Sequence, residues 1–145
     1  MLKTRGHPNR LGVIGWAVGG RWGLERYIYT LHRITGLGLL LYFLLHILVT
    51  SSRALGKDAW VAAMQSVTGS LFTLGEYAVF AAFAIHGING LRLILVELGV
   101  AVGRPIEPVY PYRTSVDVQR PLALAAMILA GVLIVAGGFD FFVLH

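Results

Sequence analysis

Residues 31–46 read LHRITGLGLLLYFLLH, an apolar run with one histidine near its start and another at its end. Imidazoles are costly inside a bilayer unless they face a partner or a cavity. Five residues of this run are separated by four, three, four and three positions, which places them on a single helix face. They are His32, Gly36, Leu39, Phe43 and His46. The stretch therefore predicts a membrane-crossing helix whose two histidines face the same neighbour.

The composition supports a membrane protein. The chain has 145 residues, of which 57% are hydrophobic and 13% are charged, whereas charged residues make up about a quarter of a soluble domain. It has no cysteine, which excludes thiolate-held iron-sulfur clusters and covalently attached c-type haem. Histidine is therefore the residue type that would hold a redox group in this chain.

Three apolar segments are each long enough to cross a hydrocarbon core about 30 Å thick. They run from about Tyr29 to Thr50, from about Leu74 to Gly99, and from about Pro121 to Val143. A short interfacial helix is expected around Trp60 to Val67. We predict an all-α membrane protein with residues 1–28 as an N-terminal segment and residues 29–145 as a bundle of three transmembrane helices.

The distribution of basic residues predicts the orientation. Nine of them flank the first span's start or follow the second span: Lys3, Arg5, Arg10, Arg21, Arg26, Arg33, Arg104, Arg113 and Arg120. The connection between the first two spans has only Arg53 and Lys57. By the positive-inside rule the N-terminus and the second loop face the cytoplasm. The net charge of +5 is thus a topology signal and does not indicate nucleic-acid binding.

The second span carries a similar stripe, with Asn89 beside it: Ala82, His86, Gly90, Leu93 and Glu97. Small residues one turn to either side of His86 leave room for a flat macrocycle against the helix. Two simpler explanations stand beside this one. A membrane histidine can hydrogen-bond to a neighbouring helix, and His32 with Arg33 can extend from the cytoplasmic boundary to lipid headgroups.

Two motifs carry a family resemblance. LHRITG at residues 31–36 and HGINGLRLILVE at residues 86–97 resemble the cytochrome b subunit, the membrane anchor, of succinate dehydrogenase, or succinate:quinone oxidoreductase. The resemblance covers all three spans. It implies a haem b subunit of a tricarboxylic acid cycle enzyme, which anchors a flavoprotein subunit with FAD and an iron-sulfur subunit and passes electrons to quinone. This chain alone would do no bond chemistry.

The resemblance also assigns roles in haem binding. His86 matches the axial ligand of haem b iron, with a second ligand from a partner membrane subunit. His32 matches a histidine near the haem propionates, and Arg92 falls near the same cytoplasmic end. Leu93 replaces a second propionate histidine of the family. His46 resembles a histidine of the members that hold two haems.

Depth along the helices separates His46 from His86. His46 lies about 6 Å from the outer end of its span and His86 about 18 Å from that end of the next span, so one haem does not bind both. One haem with a structural His46, or two haems at different depths, remain, and we favour two. No other histidine is expected at the depth of His86, which implies a companion membrane subunit.

The quinone site is expected at the start of the first span. Arg33 matches an arginine at the quinone headgroup, and the family's candidate serine is replaced by Tyr29, followed by Thr30; either hydroxyl is a candidate ligand. The resemblance places the chain in a bacterial-type inner membrane, in contact with lipid. A fumarate reductase working in reverse, a haem-free anchor, and a membrane cytochrome of another dehydrogenase are the alternatives.

Overall fold

The computed structural model describes residues 24–104, 107 and 118–144. Within these residues the chain is helical and has no strand, which confirms the all-α prediction. The helices and two short flanking turns are, in chain order, α1 (Leu24–Ser51), a 3-10 turn (Ser52–Leu55), α2 (Lys57–Ser66), α3 (Ser70–Glu97), α4 (Arg120–Phe139) and a π-helical turn (Asp140–Leu144).

Three of these helices are long and apolar enough to cross a membrane. With their flanking turns they cover Leu24–Leu55, Ser70–Glu97 and Arg120–Leu144, which confirms the three predicted spans. A helix of 28 residues, the length of α1 and α3, is about 42 Å long and exceeds a hydrocarbon core of about 30 Å. Such helices tilt or extend beyond the core.

The first helix begins earlier than its hydropathy suggested, at Leu24 instead of about Tyr29. Glu25 in its first turn forms an ion pair with Arg120 at the start of α4, and an acidic residue is favourable at a helix N-terminus. Ile28, one turn later, is buried.

Helix α2 (Lys57–Ser66) matches the predicted interfacial helix. Residues 1–23 of the predicted N-terminal segment 1–28 lie outside the described residues.

Helix α3 lies between α1 and α4 and packs against both. Alanines form much of the buried apolar surface, because small side chains allow membrane helices to approach closely. The buried apolar residues are Ile28, Ala84, Ala123, Ala126 and Ala130. The buried polar residues are Thr30, Thr35, Asn89 and Arg92. These polar residues lie in the first half of α1 and the second half of α3, so the polar part of the interior is at that end of the bundle.

At the opposite end, α3 and α4 are joined by an aromatic cluster. The Tyr77 hydroxyl donates a hydrogen bond to the Ile134 carbonyl at 3.0 Å, and its ring lies 5.1 Å from that of Phe142. Gly137 leaves space for the Phe80 ring, since a Cβ at this glycine would lie only 2.8 Å from the Phe80 Cζ. The close approach of α3 and α4 therefore depends on this glycine.

We expect Gly137→Ala to destabilise the α3–α4 contact. Overpacking of this kind costs about 1–3 kcal/mol, so the purified complex should melt at a lower temperature in detergent. Gly131→Ala is the matched control, because nothing lies within 4 Å of a Cβ there. The double variant Gly137→Ala/Phe80→Leu should recover part of the loss. Equal melting temperatures for both alanine variants would contradict this account of the contact.

Candidate haem and quinone sites

Two histidines from neighbouring spans form a stacked pair. The rings of His32 on α1 and His86 on α3 have centroids 4.0 Å apart and planes 4° apart. Gly36 makes the pair possible, because a Cβ there would lie 2.8 Å from the His86 Cε1. A Cβ at Gly90 would lie 3.7 Å from the His32 Cε1, which is an ordinary van der Waals distance. Each helix thus places a glycine against the histidine of the other.

This pair corrects one expectation, that no other histidine lies at the depth of His86. His32 lies at that depth, because its ring stacks on the His86 ring with centroids 4.0 Å apart. The two residues still do not serve as the axial ligands of one haem. Axial ligands bind from opposite faces of a porphyrin, whereas these rings are stacked face to face at 4.0 Å.

The His86 ring is held through one of its nitrogens. Its Nδ1 lies 3.0 Å from the backbone carbonyl oxygen of His32. A carbonyl only accepts hydrogen bonds, so Nδ1 carries the proton and donates it. In the neutral imidazole the other nitrogen, Nε2, then has the lone pair. Metal-binding histidines are commonly oriented in this way, by a backbone carbonyl on the nitrogen that does not bind the metal.

A polar network follows on the same face of α3. Arg92 is buried, with 8% of its surface exposed. Its Nε donates to the Asn89 Oδ1 at 2.9 Å, and its Nη1 donates to the Gln119 Oε1 at 2.8 Å. Both acceptors are neutral. The Glu25 carboxylate is near enough to act on Arg92 electrostatically, but its ion pair is with Arg120, and the guanidinium has no hydrogen bond to a carboxylate among the residues that the structure describes.

Two buried nitrogens near this network have no hydrogen-bond partner, the Nδ2 of Asn89 and the Nδ1 of His32. The sequence motifs indicated His32 and Arg92 as candidates but gave Asn89 no role. Its position three residues from His86 and three from Arg92 was the available indication, because such residues share a helix face. Gln119 was missed altogether, since it lies beyond the loop that follows α3.

The predicted quinone residues divide between two surfaces. Arg33 Nη1 donates a hydrogen bond to the Tyr29 hydroxyl, and its guanidinium carbon lies 5.3 Å from the Tyr29 ring centre. Tyr29 is 48% exposed, whereas Thr30 is 4% exposed and is buried within the bundle. The structure therefore brings Tyr29 and Arg33 together on an outer surface of α1 and separates Thr30 from them.

His46 lies near the opposite end of α1, beside a cavity of about 510 Å³. Residues of α1, α2 and α3 line this half-open cavity, among them Tyr42, Trp60 and Glu76. The His46 Nδ1 lies 3.5 Å from the Tyr42 hydroxyl. The structure does not bring His46 near His86, in agreement with the depth argument. A cavity of this volume falls in the range of cofactor sites, about 300–1,000 Å³.

No group of three or more histidine, cysteine, aspartate or glutamate residues that would hold a metal ion occurs within residues 24–104 and 118–144. A b-type haem does not require such a group of metal-binding residues in one chain. Its iron is bound by the porphyrin and by axial ligands alone, and one histidine from each of two chains is sufficient.

Comparison with known proteins agrees with this architecture. Residues 17–139 match the family described as "Succinate dehydrogenase/Fumarate reductase transmembrane subunit". A protein of Halobacterium salinarum named "Succinate dehydrogenase hydrophobic membrane anchor subunit" is 26% identical over 121 residues, which cover 81% of this chain and 82% of the relative. No solved structure matches the chain. The chain belongs to the succinate dehydrogenase/fumarate reductase transmembrane subunit family, and it is an integral membrane subunit of that class of enzyme complex.

Proposed function

We propose that this chain is the haem b subunit of a succinate dehydrogenase, which anchors the flavoprotein and iron-sulfur subunits and passes electrons from succinate to quinone. The observation that carries the proposal is the His86 imidazole, which is tethered through Nδ1 to the His32 carbonyl and so has Nε2 for iron. The name of the Halobacterium relative favours succinate dehydrogenase over fumarate reductase working in reverse.

The residues around His86 fit a haem in their chemistry. With Nδ1 directed to the His32 carbonyl, Nε2 is the nitrogen that a neutral imidazole would offer to iron. One and two turns further along α3, the unpaired amide of Asn89 and buried Arg92 are suited to the acidic edge of the porphyrin. When bound, haem b supplies reversible one-electron chemistry. Because His32 stacks on His86, we propose that a histidine of a companion membrane subunit would hold the iron together with His86.

We propose a second haem at His46. The cavity of about 510 Å³ beside this residue provides the space that a flat cofactor needs between helices. His46 contributes an imidazole there, and Trp60 adds an aromatic surface. This is the part of the proposal that decides between one haem and two, and the effect of His46→Ala on haem content tests it.

The quinone would bind on the outer surface formed by Tyr29 and Arg33. The Arg33 guanidinium is a fixed cation at the boundary of the membrane, and it favours negative charge on a quinone oxygen more strongly than it would in water. The Tyr29 hydroxyl, which accepts a hydrogen bond from Arg33, can donate its own proton to that oxygen. Thr30 is buried and is the weaker of the two hydroxyl candidates.

The orientation completes the proposal. The distribution of basic residues supports a cytoplasmic location for the N-terminus, the quinone surface and the loop after α3, where the iron-sulfur subunit would dock. The membrane would then be a bacterial-type inner membrane. The first test is the purified complex itself: it should contain all four subunits and show a reduced b-type haem spectrum on addition of dithionite and on addition of succinate.

A haem-free anchor is the second candidate, and one observation favours it. The His32 and His86 rings pack directly on each other and so join α1 to α3 without any cofactor. A complex that reduces quinone with succinate but has no b-type absorption would support this candidate against the first.

Arg33→Gln is expected to raise the KM for quinone about tenfold or more, because hydrogen bonds to charged groups contribute roughly 1.5–3 kcal/mol. Tyr29→Phe should raise it less. Succinate oxidation by a soluble dye, which needs only the soluble subunits, should keep its rate. Arg53→Gln is the matched control, since Arg53 lies over Trp60 at the other end of α1. An unchanged quinone KM in Arg33→Gln would place the quinone elsewhere.

A further inference from the structure

The carboxamide of Asn89 is the most buried large side chain in the described part of the chain, with 1% of its surface exposed. Its orientation is determined by Arg92, because a guanidinium only donates and therefore requires the Asn89 oxygen as acceptor. The amide nitrogen, Nδ2, consequently points elsewhere. It carries two N–H groups, and no acceptor lies within hydrogen-bond distance.

A buried donor without an acceptor is costly and is rare in proteins. Helix α3 shows this feature next to a second one, the buried guanidinium of Arg92, whose two partners Asn89 and Gln119 are both neutral. A buried charge is normally balanced by an opposite charge. The nearby Glu25 carboxylate acts on Arg92 electrostatically, but it forms its ion pair with Arg120, so no carboxylate of the described residues is hydrogen-bonded to Arg92.

The two features therefore require the same kind of partner, an anionic oxygen. His86, Asn89 and Arg92 follow one another at intervals of three residues, so Asn89 is the neighbour of each of the other two on the surface of α3. The two polar residues lie about 4.5 Å and 9 Å along the helix from His86. These are distances that the edge of a flat macrocycle held at His86 would span.

We propose that the Asn89 Nδ2 and the Arg92 guanidinium together bind a carboxylate of the haem held by His86. Asn89 then has two functions, because its oxygen positions the guanidinium and its nitrogen donates directly to the carboxylate. The proposal rests on the proposed haem at His86 and adds to it the contact from Asn89, to which the sequence motifs assign no role.

Asn89→Asp is the most informative variant. Aspartate has the same size and keeps an oxygen for Arg92, but it replaces the amide donor by a negatively charged acceptor that repels a carboxylate. The test uses the complete complex, loaded either with haem b or with its dimethyl ester, in which both carboxylates are blocked. The rate of haem transfer to a soluble apo-haem protein is then measured for wild type and variant.

We expect Asn89→Asp to release haem b at least tenfold faster than wild type and to release the dimethyl ester at nearly the wild-type rate. Gln65→Glu, the same chemical change on the exposed surface of α2, should alter neither rate. Asn89→Leu keeps the test valid if the aspartate variant does not assemble, because it removes the donor without adding charge. It should show the same preference for the ester at smaller magnitude.

Equal acceleration for both haems would overturn the proposal and leave Asn89 with a purely structural role. Unchanged rates for both would also overturn it, and would assign the acceptor to another source, such as an acidic side chain of the companion subunit. If wild type contains no haem b, the proposed haem function fails first. The haem content of the unmodified complex reports that outcome separately from the two release rates.

Discussion

His86→Ala is expected to remove one haem b per complex, the largest change that any single substitution in this chain should produce. Alanine has no group that can bind iron. The content is measured by pyridine-haemochrome analysis of the purified complex, together with the dithionite-reduced minus oxidised spectrum.

Two other histidines provide the controls. His32→Ala keeps the backbone carbonyl that accepts from the His86 Nδ1, so this variant should retain the haem at His86. His46→Ala should remove a different haem, with its own absorption maximum. Retention of full haem content in both His86→Ala and His46→Ala would show that these histidines are structural, and quinone would then receive electrons directly from the iron-sulfur subunit.

Gly36→Val should have the second largest effect, although Gly36 itself binds nothing. Even the first added carbon would lie 2.8 Å from the His86 Cε1 and 3.1 Å from its Nδ1. The imidazole must then move, and the hydrogen bond to the His32 carbonyl breaks. We expect loss of most of the haem at His86, measured as above, with assembly followed by size-exclusion chromatography.

Gly38→Val is the matched control, because it lies two residues further along the same helix and nothing is within 4 Å of its Cβ position. Because Gly38 also lines the cavity at His46, the comparison concerns the haem at His86 and assembly, and Gly38→Val should retain both. The double variant Gly36→Val/His86→Ala should assemble as well as His86→Ala alone, since the clash is with the His86 ring. Equal haem content in the two valine variants would contradict the close contact between α1 and α3.

The sequence was sufficient to predict the three spans and the interfacial helix, because long apolar runs have few other stable structures. It also placed His86 and Arg92 on one helix, where helical periodicity determines which residues share a face. These features depend on residues close together in the chain. The succinate dehydrogenase resemblance rested on two such local motifs, and the family match confirms it.

The level of His32 relative to His86 could not be predicted, because it depends on how α1 packs against α3. The early start of α1 is associated with an ion pair between Glu25 and Arg120, which are 95 residues apart. The pairing of Arg92 with Gln119 likewise joins residues that are distant in the chain. The cavity at His46 exists because α2 folds back beside α1 and α3. Hydropathy contains no information about contacts of this kind.

The separation of His32 and His46 along α1 has an electrical consequence. Fourteen residues of helix correspond to about 21 Å, roughly two-thirds of the hydrocarbon thickness. One elementary charge crossing the whole membrane at 100 mV corresponds to about 2.3 kcal/mol. An electron moved between the levels of these two histidines therefore does, or receives, about 1.6 kcal/mol of electrical work per 100 mV. A complex with redox groups at both levels would have a rate that depends on the membrane potential.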